Sequence, residues 1–198
     1  MRMYAPRLRL LKTKPDGDRD FSFYRNPGAD MMLREDEVRH DIIADAKIFH
    51  FGTLSMTHEG VRNATKKALR AAKEAGAVIS FDPNLREPLW NSLDEAKEQV
   101  LYGLGQCDIL KISDNEIQWL TGEEDFTKGV HWILERYHIP LILVSMGREG
   151  SRAYYKDLIV EVNLYTEEYD RDNRSRRYLL CMCSPLYFRA WTYRSYRE

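Results

Sequence analysis

The sequence predicts an α/β fold built on a predominantly parallel sheet with helices on both faces. Strand and helix patterns alternate at least three times between residues 46 and 145. The runs that end at Gly52 and Asp82 are too continuously apolar for half-exposed strands, which places them inside a covered sheet. The helical segments between them supply the crossovers that parallel strands require.

The elements follow in order. Lys14-Pro15-Asp16-Gly17-Asp18 is turn chemistry, proline presetting one backbone angle and glycine accepting the positive one. Residues 21–25, Phe-Ser-Phe-Tyr-Arg, alternate as a strand. Asn26-Pro27-Gly28-Ala29-Asp30 breaks it, and a short helix is expected over residues 36–44. Residues 46–51 form a strand. Val61, Ala64, Ala68, Leu69, Ala72 and Ala75 fall at helical spacing, and Gly76 caps that helix. Residues 77–81 are a strand. Ser92 with Glu95 forms a capping box for a helix running to about Gly103, and residues 107–112 are the next strand. Ser113 with Glu116 repeats the capping pattern before Ile117, Trp119 and Leu120. A helix over 126–137 precedes a strand over 140–145.

The 198 residues suffice for one domain, and 43% apolar with 31% charged residues fits ordinary globular folding. A net charge of −1 argues against a nucleic-acid binder. No apolar stretch approaches the roughly 20 residues of a membrane span, and "MRMYAPRLRLLKTKPDG" lacks a signal-peptide cleavage site. Cys107, Cys181 and Cys183 have no metal-ligand partners at suitable spacing, so the chain reads as cytoplasmic. His50, His58, His131 and His138 are scattered and read as structural or solvated.

Three strand exits carry candidate chemistry. Asp82-Pro83-Asn84-Leu85-Arg86 offers a carboxylate, an amide and a guanidinium within five residues, suited to a polyol and a phosphate. The competing reading is an Asx-Pro turn with Arg86 in a surface ion pair. Ser145-Met146-Gly147-Arg148-Glu149-Gly150 lets backbone amides approach an anion, or is simply a hairpin turn into residues 151–155. Asn115 and Glu116 bind metal or phosphate, or cap a helix.

The stretches "KPDGDRDFSFYRNPGADMML", "IFHFGTLSMTHEG", "ISFDPNLREPLW", "ILKISDNEIQWLTGEE" and "LILVSMGREGSRAYY", in that order, resemble bacterial fructokinases of the ribokinase-like (PfkB-type) carbohydrate kinases. The resemblance runs from about Lys12 to Val162. It implies a ribokinase-like sheet with part of a small β lid, and transfer of the ATP γ-phosphoryl group to a sugar hydroxyl with Mg²⁺ assistance. By position, Asp82, Asn84, Arg86 and Arg25 would bind the sugar, with residues 21–25 in the lid. Asn115, Ser145, Gly147 and Gly150 would face the nucleotide phosphates. Asn115 opens the family's Asn-x-x-Glu metal element, where Gln118 replaces the glutamate and Glu116 is adjacent. The partners implied are a small sugar and ATP, with a homodimer formed through the β lid.

The family's amino-terminal sugar-binding aspartate and Gly-Gly segment have no counterpart before Lys12, and its Gly-Ala-Gly-Asp anion hole and base occur nowhere in the chain. Residues 12–165 thus read as a partial kinase domain. After about Thr166 the text turns to "EEYDRDNRSRRYLLCMCSPLYFRAWTYRSYRE", without usable periodicity. Codons for Glu168 onward, read one nucleotide later, are compatible with Gly-Ala-Gly-Asp across Arg174 to Tyr178. Residues 166–198 are therefore expected to be an out-of-frame, poorly ordered tail. The chain is expected to be an inactive fragment of a fructokinase. The alternatives are a noncatalytic sugar- or nucleotide-binding module, a fragment acting on another sugar such as 2-keto-3-deoxygluconate or ribose, and an unstable product whose sheet edge lies open.

Overall fold

The computed structural model describes residues 8–13, 19–24 and 28–163. The turn expected at residues 14–18, the candidate Arg25, and the tail over 166–198 lie outside the described residues. Strands β1 (Leu8–Thr13) and β2 (Arg19–Tyr24) pair antiparallel as a sheet of their own, with Leu8 opposite Tyr24 and Thr13 opposite Arg19. The strand expected over 21–25 is thus present. Its partner β1, which begins ahead of Lys12, had no readable signature.

The helix expected over 36–44 divides in two: a 3-10 turn at Glu35–Glu37 and the short helix α1 (His40–Ala44). Val38, in extended backbone with ψ 120, separates them. The rest alternates as expected: β3 (Ile48–Gly52), α2 (Glu59–Glu74), β4 (Val78–Asp82), α3 (Leu93–Leu104), β5 (Ile109–Ser113), α4 (Asp114–Thr121), α5 (Phe126–Arg136) and β6 (Leu141–Ser145). Two further strands, β7 (Ser151–Tyr155) and β8 (Leu158–Val162), complete a sheet in the order β3-β4-β5-β6-β7-β8. Strands β3 to β6 run parallel, and β7 and β8 return antiparallel. The sheet is therefore mixed, and the hairpin reading of the segment after Ser145 is the one the backbone adopts.

Capping explains most boundaries. Gly76 closes α2 with φ +75, and Gly122 ends α4 with φ +78. At α4 the full capping box forms between Ser113 and Glu116. At α3 only half does: Ser92 Oγ accepts from Glu95 N at 3.1 Å, but the Glu95 carboxylate turns to Arg62 and Asn91. The guanidinium of Arg62 holds the Glu95 carboxyl below the usual carboxylate range and ties α3 to α2.

The core lies along the inner strands, where Phe81, Leu110, Ile112, Ile142 and Val144 are fully buried. The Phe51 and Phe81 rings stack at 4.6 Å between centroids. Helix α3 reaches this layer because residue 103 is glycine: a Cβ there would sit 2.4 Å from the Phe81 ring.

One expectation is corrected. The apolar run ending at Gly52 predicts a strand covered on both faces, yet Ile48 is 40% exposed and His50 is exposed. The reason is position, since β3 ends the sheet and has only β4 beside it among the described strands.

Candidate active site

Parallel pairing brings the carboxyl ends of β3, β4, β5 and β6 to one edge of the sheet. The register sets Gly52 beside Asp82, Phe81 beside Leu110, and Ser113 beside Ser145. The three candidate segments at 82–86, 115–118 and 145–150 therefore leave the sheet along the same edge, the side where ligands gather in α/β folds.

The 82–86 segment is held from both flanks. On the β3 side, a Cβ at Gly52 would lie 2.6 Å from the Asp82 carbonyl oxygen, so glycine permits the two strand ends to close up. Next to it, Thr53 Oγ1 donates to the Pro83 carbonyl at 2.6 Å, and Thr53 N donates to the same oxygen at 3.3 Å. On the β5 side, Lys111 Nζ stands 3.3 Å from Asp82 Oδ1, with both side chains about four-fifths buried (18% and 22% exposed). Leu85 N donates to Glu116 Oε1 at 2.7 Å, and Arg86 Nη1 donates to the Leu85 carbonyl at 2.8 Å. Asn84, between these anchors, adopts φ +45, a conformation that asparagine tolerates better than most residues.

An open cavity of about 500 Å³ lies against this segment. Asp82, Asn84, Thr53, His50 and Thr65 give it polar groups, and Phe49 and Leu33 give it an apolar wall. That mixture of carboxylate, amide and hydroxyl groups beside apolar surface suits a small polyhydroxylated molecule. Arg86, Asn115, Ser145, Gly147 and Gly150 share the strand-exit edge but are not among the residues lining this cavity.

Asn115 and Gln118 are exposed on the first turns of α4. Glu116 is different: its Oε2 accepts from Ser113 N at 2.9 Å and from Ser113 Oγ at 2.8 Å, while Oε1 receives the Leu85 amide. Among the described residues no group of three or more His, Cys, Asp or Glu side chains is arranged to hold a metal ion. After Ser145, Gly147 with φ +55 opens a 3-10 turn, and Met146 N donates to the Gly150 carbonyl at 2.9 Å to close it. Gly150 has φ +102, and a Cβ there would strike the Val162 carbonyl at 2.1 Å. Glycine at 150 thus lets β8 pass close by, whatever else it does.

Lys111 escaped the sequence reading. Half of its signal was visible: one lysine inside an otherwise apolar strand, Ile109-Leu110-Lys111-Ile112. A cation so placed needs an anionic partner.

Residues 6–168 match the pfkB family carbohydrate kinase profile, and the chain belongs to that family. It is 45% identical over 150 residues to a protein named probable fructokinase-2 of Arabidopsis thaliana, covering 76% of this chain and 46% of that protein. The fold is ribokinase-like. Fructokinase of Xylella fastidiosa with bound ATP superposes with a TM-score of 0.71 at 29% identity, covering 83% of this chain and 51% of the other. Fructokinase of Vibrio cholerae in its fructose-, ADP- and calcium-bound form gives a TM-score of 0.65 at 29% identity, covering 72% and 46%. The chain thus spans about half the length of the relatives it matches. Among the described residues no helix is long and apolar enough to cross a membrane.

Proposed function

We propose that this chain carries the sugar- and phosphate-facing strand exits of an ATP-dependent fructokinase, a cytoplasmic enzyme that transfers the ATP γ-phosphoryl group to a hexose hydroxyl. The observation that carries the reading is the convergence of the 82–86, 113–118 and 145–150 segments on one sheet edge, in a chain 45% identical to a fructokinase. In this reading Asp82 and Asn84, on the cavity wall, meet sugar hydroxyls, and Arg86 and the lid residue Arg25 meet the sugar or its phosphate. Asn115, Ser145, Gly147 and Gly150 face the nucleotide phosphates. Mg²⁺ would come with ATP and supply charge neutralisation. Asn115 and Gln118 are its neutral neighbours here, which fits an ion held mainly by phosphate oxygens and water. Two copies would pair through the β1–β2 lid.

The Gly-Ala-Gly-Asp base and anion hole are absent from the sequence, so this chain by itself binds without turning over. That absence also favours the second reading, a noncatalytic sugar- or nucleotide-binding module. Calorimetric titration with fructose and with ADP, beside a fructose phosphorylation assay, separates the outcomes. Binding of both fructose and ADP without turnover supports the first reading, and binding of only one of them supports the second. Turnover removes the inactivity claim, and a chain that binds neither ligand removes both readings.

A further inference from the structure

Glu116 links two of the three strand exits. Its Oε2 accepts from Ser113 N and Ser113 Oγ, closing the capping box that starts α4. Its Oε1 reaches across to accept the Leu85 amide at 2.7 Å. The first pair is ordinary helix capping. The second is not part of any cap, since Leu85 lies 31 positions away in sequence on the exit from β4. A hydrogen bond to a charged acceptor is stronger than a neutral one, and this one falls beside Asn84, whose φ of +45 must be held by its surroundings.

We propose that Glu116 is a positioning residue whose carboxylate latches the backbone at Leu85 to the amino terminus of α4, fixing the Asn84 and Arg86 side chains at the candidate sugar site. The inference rests on the kinase reading for its functional half and on the geometry alone for its structural half. Reach is the decisive property. Aspartate at 116 keeps a carboxylate at the helix start but is one methylene too short to span both Ser113 and Leu85.

The test is Glu116→Asp in the full chain, followed by residue-resolved amide exchange without ligand and by calorimetry with fructose and ADP. Leu85 exchange is expected to rise at least fivefold, amides in α5 and β6 to stay within twofold, fructose affinity to fall at least fivefold, and ADP affinity to stay within twofold. Ser113→Ala, which spares the Leu85 bond, should leave Leu85 exchange within twofold. Unchanged Leu85 exchange in Glu116→Asp, or acceleration spread through β4, β5 and β6, overturns the latch. Faster Leu85 exchange with fructose affinity unaltered overturns the positioning role and leaves a structural tie. If the unaltered chain binds no fructose, the sugar-site reading and the positioning role fall together, while Leu85 exchange still decides the latch.

Discussion

Lys111 and Asp82 face each other across neighbouring parallel strands, Nζ to Oδ1 at 3.3 Å. Both are largely buried, so each charge depends on the other more than an exposed pair would. The consequence for the candidate site is directional: the lysine holds the Asp82 carboxylate at the floor of the strand exit, at the end of β4.

Removing that lysine tests the arrangement. Lys111→Met keeps most of the aliphatic volume but leaves a partly buried carboxylate without this cation. Folding stability is expected to fall by about 1–2 kcal/mol, less than for a fully buried pair because water still reaches both groups. Urea denaturation measures it, and a stability unchanged within error would show that Asp82 does not rely on Lys111.

How far the sequence alone carried the fold is clear from these same residues. The inner strands and their helices were readable because apolar runs and capping pairs are local signals: Ser113 with Glu116 caps α4 in the register expected. Asp82 was readable as a strand-exit group. Its partner was not, because pairing of Lys111 with Asp82 depends on which strands lie side by side. The edge position of β3 and the reach of Glu116 to Leu85 are long-range facts of the same kind. Strand β8 was missed because an antiparallel return carries no crossover pattern to announce it.

The two glycines after Ser145 should respond differently to alanine. At Gly147, φ is +55 and a Cβ would meet nothing within 4 Å, so Gly147→Ala is expected to cost only the left-handed strain, about 1 kcal/mol. At Gly150, φ is +102 and the Cβ would overlap the Val162 carbonyl, so Gly150→Ala is expected to cost about 3 kcal/mol or to detach β8. Thermal unfolding of both variants ranks them, and equal losses would contradict the close passage of β8.

Cys107 gives a pH prediction. Burial pushes its thiol up from 9.0 to about 12, with the Asp108 carboxylate adding in the same direction. The unfolded thiol ionises near its ordinary value while the folded one stays protonated, so between those limits the folded state binds more protons. Stability is then fully present below about pH 9 and declines as pH rises toward 12. Cys107→Ala should flatten the alkaline side of the stability profile. Mass-spectrometric mapping at pH 8 should find Cys107 unmodified by thiol reagents until the chain is unfolded.

The free side of β3 makes the last prediction. Ile48 is 40% exposed on that strand, and Ile42 and Leu33 nearby in sequence are 62% and 43% exposed. Among the described residues no strand pairs with that side, so its backbone groups and apolar side chains can recruit the same edge of another copy. Ile48→Lys adds a charge at an already exposed position, where it has little packing to disturb. Light scattering during a thermal ramp should show the variant aggregating more slowly than the parent, with circular dichroism unchanged. If both aggregate alike, the open edge is not where copies meet, and the exposed residues of β8, Leu158 and Ile159, become the surface to charge next.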